Sequence, residues 1–336
     1  MASIRPAQDQ AGGGCAAGPM IDVDRLTKRY GRFVALDGIS FRADSGEIVG
    51  FLGPNGAGKT TAMRVLTGYM PPTEGTARIA GFDVLADSLA VRERVGYLPE
   101  TVRLYREMTV RGYLKFMGQL RGVDRLGARL DEVLDLVGLR ERARRLISSL
   151  SKGMQQRLGL AQAILHDPPV LILDEPTIGL DPHQVQELRA LIRELGRTRT
   201  VLLSTHILSE AEQVCDRVII VDRGRIVAED TPANLREGLA RSSRLFVRVG
   251  AARGDIAGLL ASVPGVTSVG PAADGFLLTS APQAGDVRPA VASAIVGQGW
   301  PLLELRPWAT TLEEIFLELT ARLDAPISNG GGARHA

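Results

Sequence analysis

The stretch "GPNGAGKT", Gly53–Thr60, sets three glycines, a lysine and a threonine in the spacing G-x-x-x-x-G-K-[ST]. It follows the apolar run Ile48–Leu52 and opens "KTTAMRVLTG", whose apolar residues recur at helical spacing. Backbone N–H groups of such a loop turn inward onto phosphate oxygens, and the helix N-terminus behind them adds partial positive charge. Lys59 is expected to reach the β- and γ-phosphates of a nucleotide, and Thr60 to offer its hydroxyl to Mg²⁺.

A second stretch, "VLILDEP", runs through four apolar residues into two adjacent carboxylates. Acids at the C-terminal edge of a buried strand stand where open α/β sheets bind ligands. Asp174 is expected to hold Mg²⁺ through water, and Glu175 to polarise the attacking water as general base. "TVLLSTH" ends another apolar strand at His206, which would donate to the γ-phosphate beside Glu175. "LSKGMQQR", Leu150–Arg157, holds no obvious catalyst, yet lies between the phosphate loop and the acid pair.

Positioning these groups requires strands that alternate with helices. "RFVALDGISFRA", "EIVGFLG", "VLILD", "TVLLS", "RVIIVDRG" and "RIVAE" read as strands, and a helix is expected near 183–195. The order argues for an α/β fold with a mostly parallel sheet covered on both faces. Between about Thr109 and Ala163 the pattern is almost wholly helical, the mark of a helical subdomain at about 100–165. After "TPANLREG" a second series follows: "RLFVRV", "DIAGLLASV", "VTSVG", "GFLLTS", "VRPAVASAIVGQG" and "PLLELRP". That is the β-α-β-β-α-β order of a split βαβ, ferredoxin-like domain. A last helix, "TLEEIFLELT", begins with Thr311 and Glu314 in capping-box spacing. The expected organisation is a leader over 1–19, a nucleotide-binding domain over 20–240, a small α/β domain over 241–321 and a tail over 322–336, both ends disordered.

Composition narrows the function classes. At 336 residues and 45% apolar content the chain can bury a substantial core. A net charge of +2 carries no general nucleic-acid footprint. Cys15 and Cys215 make neither a disulfide framework nor a zinc cluster, which fits a reducing compartment. No apolar run reaches the roughly 18 residues a membrane span needs.

The ordered set Tyr30, "GPNGAGKT", "YLPE", "LSKGMQQR", "VLILDEP", "GLD" and "STH" resembles the nucleotide-binding subunits of ABC transporters, over about Ile21 to Arg236. The resemblance implies a P-loop NTPase core that binds ATP and Mg²⁺ and hydrolyses ATP. By matching position, Tyr30 would stack on adenine. Gly53, Pro54, Asn55, Gly56, Ala57, Gly58, Lys59, Thr60 and Thr61 would hold the phosphates. Thr60, Asp174 and Glu100 would serve the metal, and Glu175, His206 and Lys59 would carry catalysis.

In that family the signature stretch of one subunit closes over the ATP of another. Ser151 would then offer a hydroxyl and Gly153 an unobstructed backbone N–H to the partner's γ-phosphate, with Asp181 at the dimer contact. Two stretches depart from the family pattern. Lys152 and Met154 replace the third and fifth signature residues, and Glu100 stands where glutamine is usual.

The expected partners are a second copy or a homologous cassette and a separate multi-span membrane subunit of the ABC-2 type, with no nucleic acid. The expected location is cytoplasmic, peripheral on the inner face of the cell membrane, and the expected task is export. The alternative, a soluble ABC ATPase acting on ribosomes or DNA, normally brings tandem cassettes or long coiled coils. This sequence has one phosphate loop, one signature and no sustained heptads.

Overall fold

The computed structural model describes residues 18–239, 244–250, 254–272, 274–281 and 283–308. In chain order the elements begin β1 (Ile21–Tyr30), β2 (Phe33–Ala43), β3 (Ile48–Leu52), α1 (Lys59–Leu66), β4 (Glu74–Ile79), β5 (Phe82–Asp83), α2 (Ser88–Arg94) and β6 (Val95–Leu98). They continue as α3 (Val110–Leu120), α4 (Leu126–Leu136), α5 (Lys152–Ile164), β7 (Val170–Asp174), α6 (Pro182–Gly196), β8 (Thr200–Thr205), α7 (Leu208–Val214), β9 (Arg217–Asp222), β10 (Arg225–Asp230) and α8 (Pro232–Leu239). The last set is β11 (Arg244–Val249), α9 (Ile256–Ala261), β12 (Val266–Ala272), β13 (Gly275–Ser280), α10 (Arg288–Gly297) and β14 (Leu302–Pro307). The helix expected in "TLEEIFLELT", the tail, and the leader before residue 18 lie outside the described residues.

Two compact units interleave along the chain. One holds the residues up to Ile48 together with Thr60–Leu203; the other holds Val49–Lys59 and the residues from Ser204 onward.

In the first unit, β6 and β7 pair in parallel and β8 is the next strand beyond β7. β7 and β8 are buried along their whole length, which explains their uninterrupted apolar reading. A separate antiparallel sheet, in the order β2-β1-β4-β5, was not foreseen from the sequence. Its strand β1, "IDVDRLTKRY", breaks the period-two pattern at a bulge between Val23 and Leu26, where Arg25 adopts φ 46°. Gly75 on the neighbouring β4 makes room for that bulge, since a Cβ there would overlap the Arg25 carbonyl.

Helices α3, α4 and α5 pack on one another, as the helical stretch of sequence predicts. α5 also lies tightly on β6. A Cβ at Gly96 would overlap the Ala163 carbonyl oxygen, and one at Gly159 would stand 2.8 Å from Leu98 and Val102. Two glycines thus allow the second half of α5 to approach the sheet closely.

In the second unit, β3 pairs in parallel with β9, and β9 pairs antiparallel with β10. A four-stranded sheet in the order β12-β13-β11-β14, antiparallel throughout, reproduces the expected split βαβ arrangement. Leu245, Val247 and Leu278 from its strands meet Leu260, Val291 and Ile295 from α9 and α10 in one apolar core. Glu304 and Asp274 pair with Arg248, and the Arg306 guanidinium lies 5.0 Å over the Phe246 ring and 5.2 Å over Trp308.

Two predictions test the packing of α5. Gly96→Ala forces a backbone overlap and should destabilise the protein by about 1–3 kcal/mol in urea unfolding; an unchanged midpoint would show that α5 does not seat on β6 as described. His166, just beyond α5, lies 3.1 Å from the Val95 carbonyl and 3.1 Å from Arg121 Nη1. Burial first, then the Arg121 charge, holds its pKa down at about 4, against an ordinary 6.5. The folded protein therefore keeps His166 neutral while the unfolded chain protonates it. That contribution is present above pH 6.5 and is lost as pH falls towards 4. The stability difference between the protein and His166→Asn should shift steadily against the histidine between those limits; a pH-independent difference would contradict the assignment.

Candidate nucleotide site

The chain turns out of β3 into the loop Gly53–Gly58. Gly53 has no space for a side chain: a Cβ would overlap the Val221 carbonyl of β9 and stand 3.0 Å from the Ala57 Cβ. Gly56 at φ 84° and Gly58 at φ 104° occupy conformations that favour glycine. The turn is closed by Ala57 N–H donating to Pro54 O at 3.2 Å and anchored by Gly224 N–H donating to Ala57 O at 3.0 Å. Lys59 is buried and folds back over the loop, its ammonium donating to Gly53 O at 2.8 Å and Pro54 O at 3.2 Å. The Lys59 cation is thus held against carbonyls of the loop, while Asn55 and Gly56 remain exposed. In the same unit His206 is exposed at the end of β8, and Thr205 Oγ1 accepts the Ile207 N–H at 3.0 Å to turn the chain there.

In the first unit, α1 continues from the loop and places Thr60 against the end of β7. Thr60 Oγ1 donates to Asp174 Oδ1 at 3.4 Å, and the Asp174 carboxylate is fully buried. Glu175, also buried, adopts φ 48°, a left-handed conformation that costs a non-glycine residue on the order of 1–3 kcal/mol. That strained turn separates two adjacent acids, and nothing in the residue types announces it. Thr60 and Asp174 supply hard oxygen donors in the sparse number that suits Mg²⁺, which takes most of its shell from water and phosphate. Among the described residues no cluster of three or more His, Cys, Asp or Glu forms an all-protein metal cage. Hard oxygens few in number, the donors present fit Mg²⁺ by their chemistry.

Thr60 and Asp174 line a cavity of about 620 Å³ together with Arg64, Tyr97, Glu100 and Gln162. Glu100, exposed in the loop after β6, thus shares a cavity with both metal candidates. Tyr97 was not singled out in the sequence. Burial first and then the Asp174 carboxylate push its phenol up to about 12, so it stays protonated, its oxygen accepting from the Arg64 guanidinium.

Tyr30 ends β1 with its ring 46% exposed, its hydroxyl 3.0 Å from Met70 Sδ and the Lys28 ammonium 5.5 Å from the ring centre. Anchored at one edge and open on the other, the ring can stack on a planar base. Ser151 caps α5: its Oγ accepts the Met154 N–H at 3.3 Å. The hydroxyl proton remains available to a second acceptor, because a hydroxyl accepts and donates at once. Gly153 is buried rather than open, with the Gln184 side chain in the space a Cβ would fill. Asp181 caps α6, accepting the Gln184 N–H at 3.0 Å. Both caps hold the turns before their helices in extended backbone, so Ser151 and Asp181 stand exposed at helix starts.

The family model described as ABC transporter matches residues 36–178. The chain is 39% identical over 305 residues to the daunorubicin resistance ATP-binding protein DrrA3 of Streptomyces coeruleorubidus, covering 89% of this chain and 95% of that one. It is 42% identical over 212 residues to the bacitracin transport ATP-binding protein BcrA of Bacillus licheniformis, covering 62% of this chain and 69% of that one. Among solved structures, an ATP-binding subunit of an ABC transporter superposes with a TM-score of 0.61 at 33% identity, covering 66% of this chain and 93% of that one. A dimeric ATP-binding cassette in a post-hydrolysis state with ADP and Pi superposes with a TM-score of 0.56 at 25% identity, covering 63% of this chain and 98% of that one. With the phosphate loop, the buried acid and the signature turn in place, the chain belongs to the ATP-binding proteins of ABC transporters, the P-loop ATPases that couple hydrolysis to transport.

Proposed function

We propose that two copies of the chain, or one copy and a homologous cassette, close around two ATP molecules and drive a separate multi-span membrane subunit of the ABC-2 type in export. The observation that carries this reading is the end of β7, where a buried carboxylate meets the hydroxyl of the helix behind the phosphate loop. That pairing has a purpose where a metal and a triphosphate come to rest.

Tyr30 stacks on the adenine. The amides of Gly53–Gly58, the Lys59 ammonium and Thr61 hold the phosphates, and Thr60 and Asp174 hold Mg²⁺, with Glu100 at the edge of the same cavity. The metal, when bound, neutralises charge on the β- and γ-phosphate oxygens. Glu175 takes the proton of the attacking water, and His206 donates to the γ-phosphate as negative charge builds there. The partner copy supplies Ser151, Gly153 and Asp181, which exclude bulk water and add donors. Opening of the closed pair after hydrolysis passes through the helices α3–α5 to the membrane subunit.

Relatives named for bacitracin transport, daunorubicin resistance and Nod factor export support an export role. Among the described residues no helix is long and apolar enough to cross a membrane. In this reading the chain works as a peripheral subunit on the inner face of the membrane. In domain terms this assigns residues 20–240 to the cassette and 241–321 to the appended α/β domain.

Replacing Glu175 by Gln removes the base while keeping shape. Turnover should fall about 10²–10⁴-fold, and the protein should accumulate as an ATP-bound dimer in sedimentation. A Glu175→Gln protein that stays monomeric with ATP and Mg²⁺, even with its membrane subunit, would refute the reading. Ser151→Ala removes one preorganised donor and should cost about 10²-fold in turnover with unchanged nucleotide affinity of the isolated chain; unaltered turnover would remove the signature from the site. Glu100→Gln should leave ATP affinity in place, and a large loss would give Glu100 an obligatory role in nucleotide binding.

A further inference from the structure

The turn before α5 and the turn before α6 are interlocked by two side chains that each fill the other turn's glycine. At Gly153, a Cβ would overlap Gln184 Oε1 and stand 2.7 Å from its Cδ. At Gly179, in the left-handed region at φ 69°, a Cβ would overlap the Lys152 Nζ and stand 3.1 Å from its Cε. Lys152 reaches from the first turn to cover the second; Gln184 reaches from the second to cover the first. A third tie follows farther along the helices, where Arg157 pairs with Glu187.

Helix stability does not explain the lysine. A cation in the first turn of α5 opposes the helix dipole. Its stem and ammonium nevertheless lie over Gly179 and not along the helix. Both turns carry residues assigned above to the partner's nucleotide: Ser151 and Gly153 on one, Asp181 on the other. Left independent, each turn would have to be ordered separately when the pair closes.

We propose that Lys152 and Gln184 are positioning residues that lock the 151–153 turn to the 179–184 segment, so that the donors to the partner's ATP present themselves as one rigid surface. The proposal rests on the ATP-driven dimer described above. The lock lowers the conformational cost of closure and leaves the binding of nucleotide by the isolated chain unchanged.

The test is made in the full-length Glu175→Gln protein, measuring the ATP concentration for half-maximal dimerisation in sedimentation, alongside the affinity of the monomer for a fluorescent ATP analogue. Lys152→Ala and Gln184→Ala should each raise the ATP requirement about tenfold, and the double variant should rise little further, because both remove one lock. Lys152→Met, with similar length and no charge, should stay within about threefold of the parent, since packing over Gly179 is what the lock uses. Monomer affinity should hold within about twofold throughout, which damage to the fold would not allow. Variants that dimerise at the parental ATP concentration, a double variant whose effects add in full, or a Lys152→Met as impaired as Lys152→Ala would each overturn the lock. A Glu175→Gln parent that fails to dimerise would instead overturn the dimer reading, and the lock with it.

Discussion

A carboxylate with no exposed surface, at the end of a strand buried along its full length, is the constraint around which this protein is arranged. Burying a charge costs several kcal/mol unless hydrogen bonds and an opposite charge meet it. The Thr60 hydroxyl answers part of that need. The loop before α1 needs glycine at 53, 56 and 58. The strained backbone at Glu175 belongs to the same arrangement. It bends the chain sharply between two neighbouring buried acids.

The second half of the proposed site is built by seating rather than by charge. α5 presses on β6 where Gly96 and Gly159 remove the intervening side chains. Ser151 then serves twice, as the cap that begins the helix and as a hydroxyl presented at its positive end. Asp181 repeats the device on α6. Two helix starts, each capped by an exposed polar residue and each covered by a side chain from the other, form a surface suited to an anion brought by a second molecule.

Much of this was legible in the residues. Buried strands β7 and β8 announce themselves as apolar runs, and the phosphate loop as a spacing of glycines, because each follows from a local physical need. The small α/β domain was readable for the same reason: its order of strands and helices is written in alternating periods. What escaped the sequence depends on contacts distant in the chain. β1 hides its period behind the bulge at Arg25, which only the facing Gly75 makes possible. Nothing local marks Tyr97, whose place beside Asp174 and Arg64 depends on residues far from it in the chain. Gly153 reads as an open glycine, whereas Gln184, far along the chain, occupies its empty side.

The central claim is that each nucleotide is held by the phosphate loop of one copy and the signature turn of another. It is tested most directly by the structure of the Glu175→Gln protein with ATP and Mg²⁺. The account predicts Ser151 Oγ and the Gly153 N–H within hydrogen-bond reach of a γ-phosphate whose other oxygens are held by Gly53–Thr60 of the partner copy. A nucleotide contacted by one chain alone, with Ser151 and Asp181 facing solvent, would contradict it.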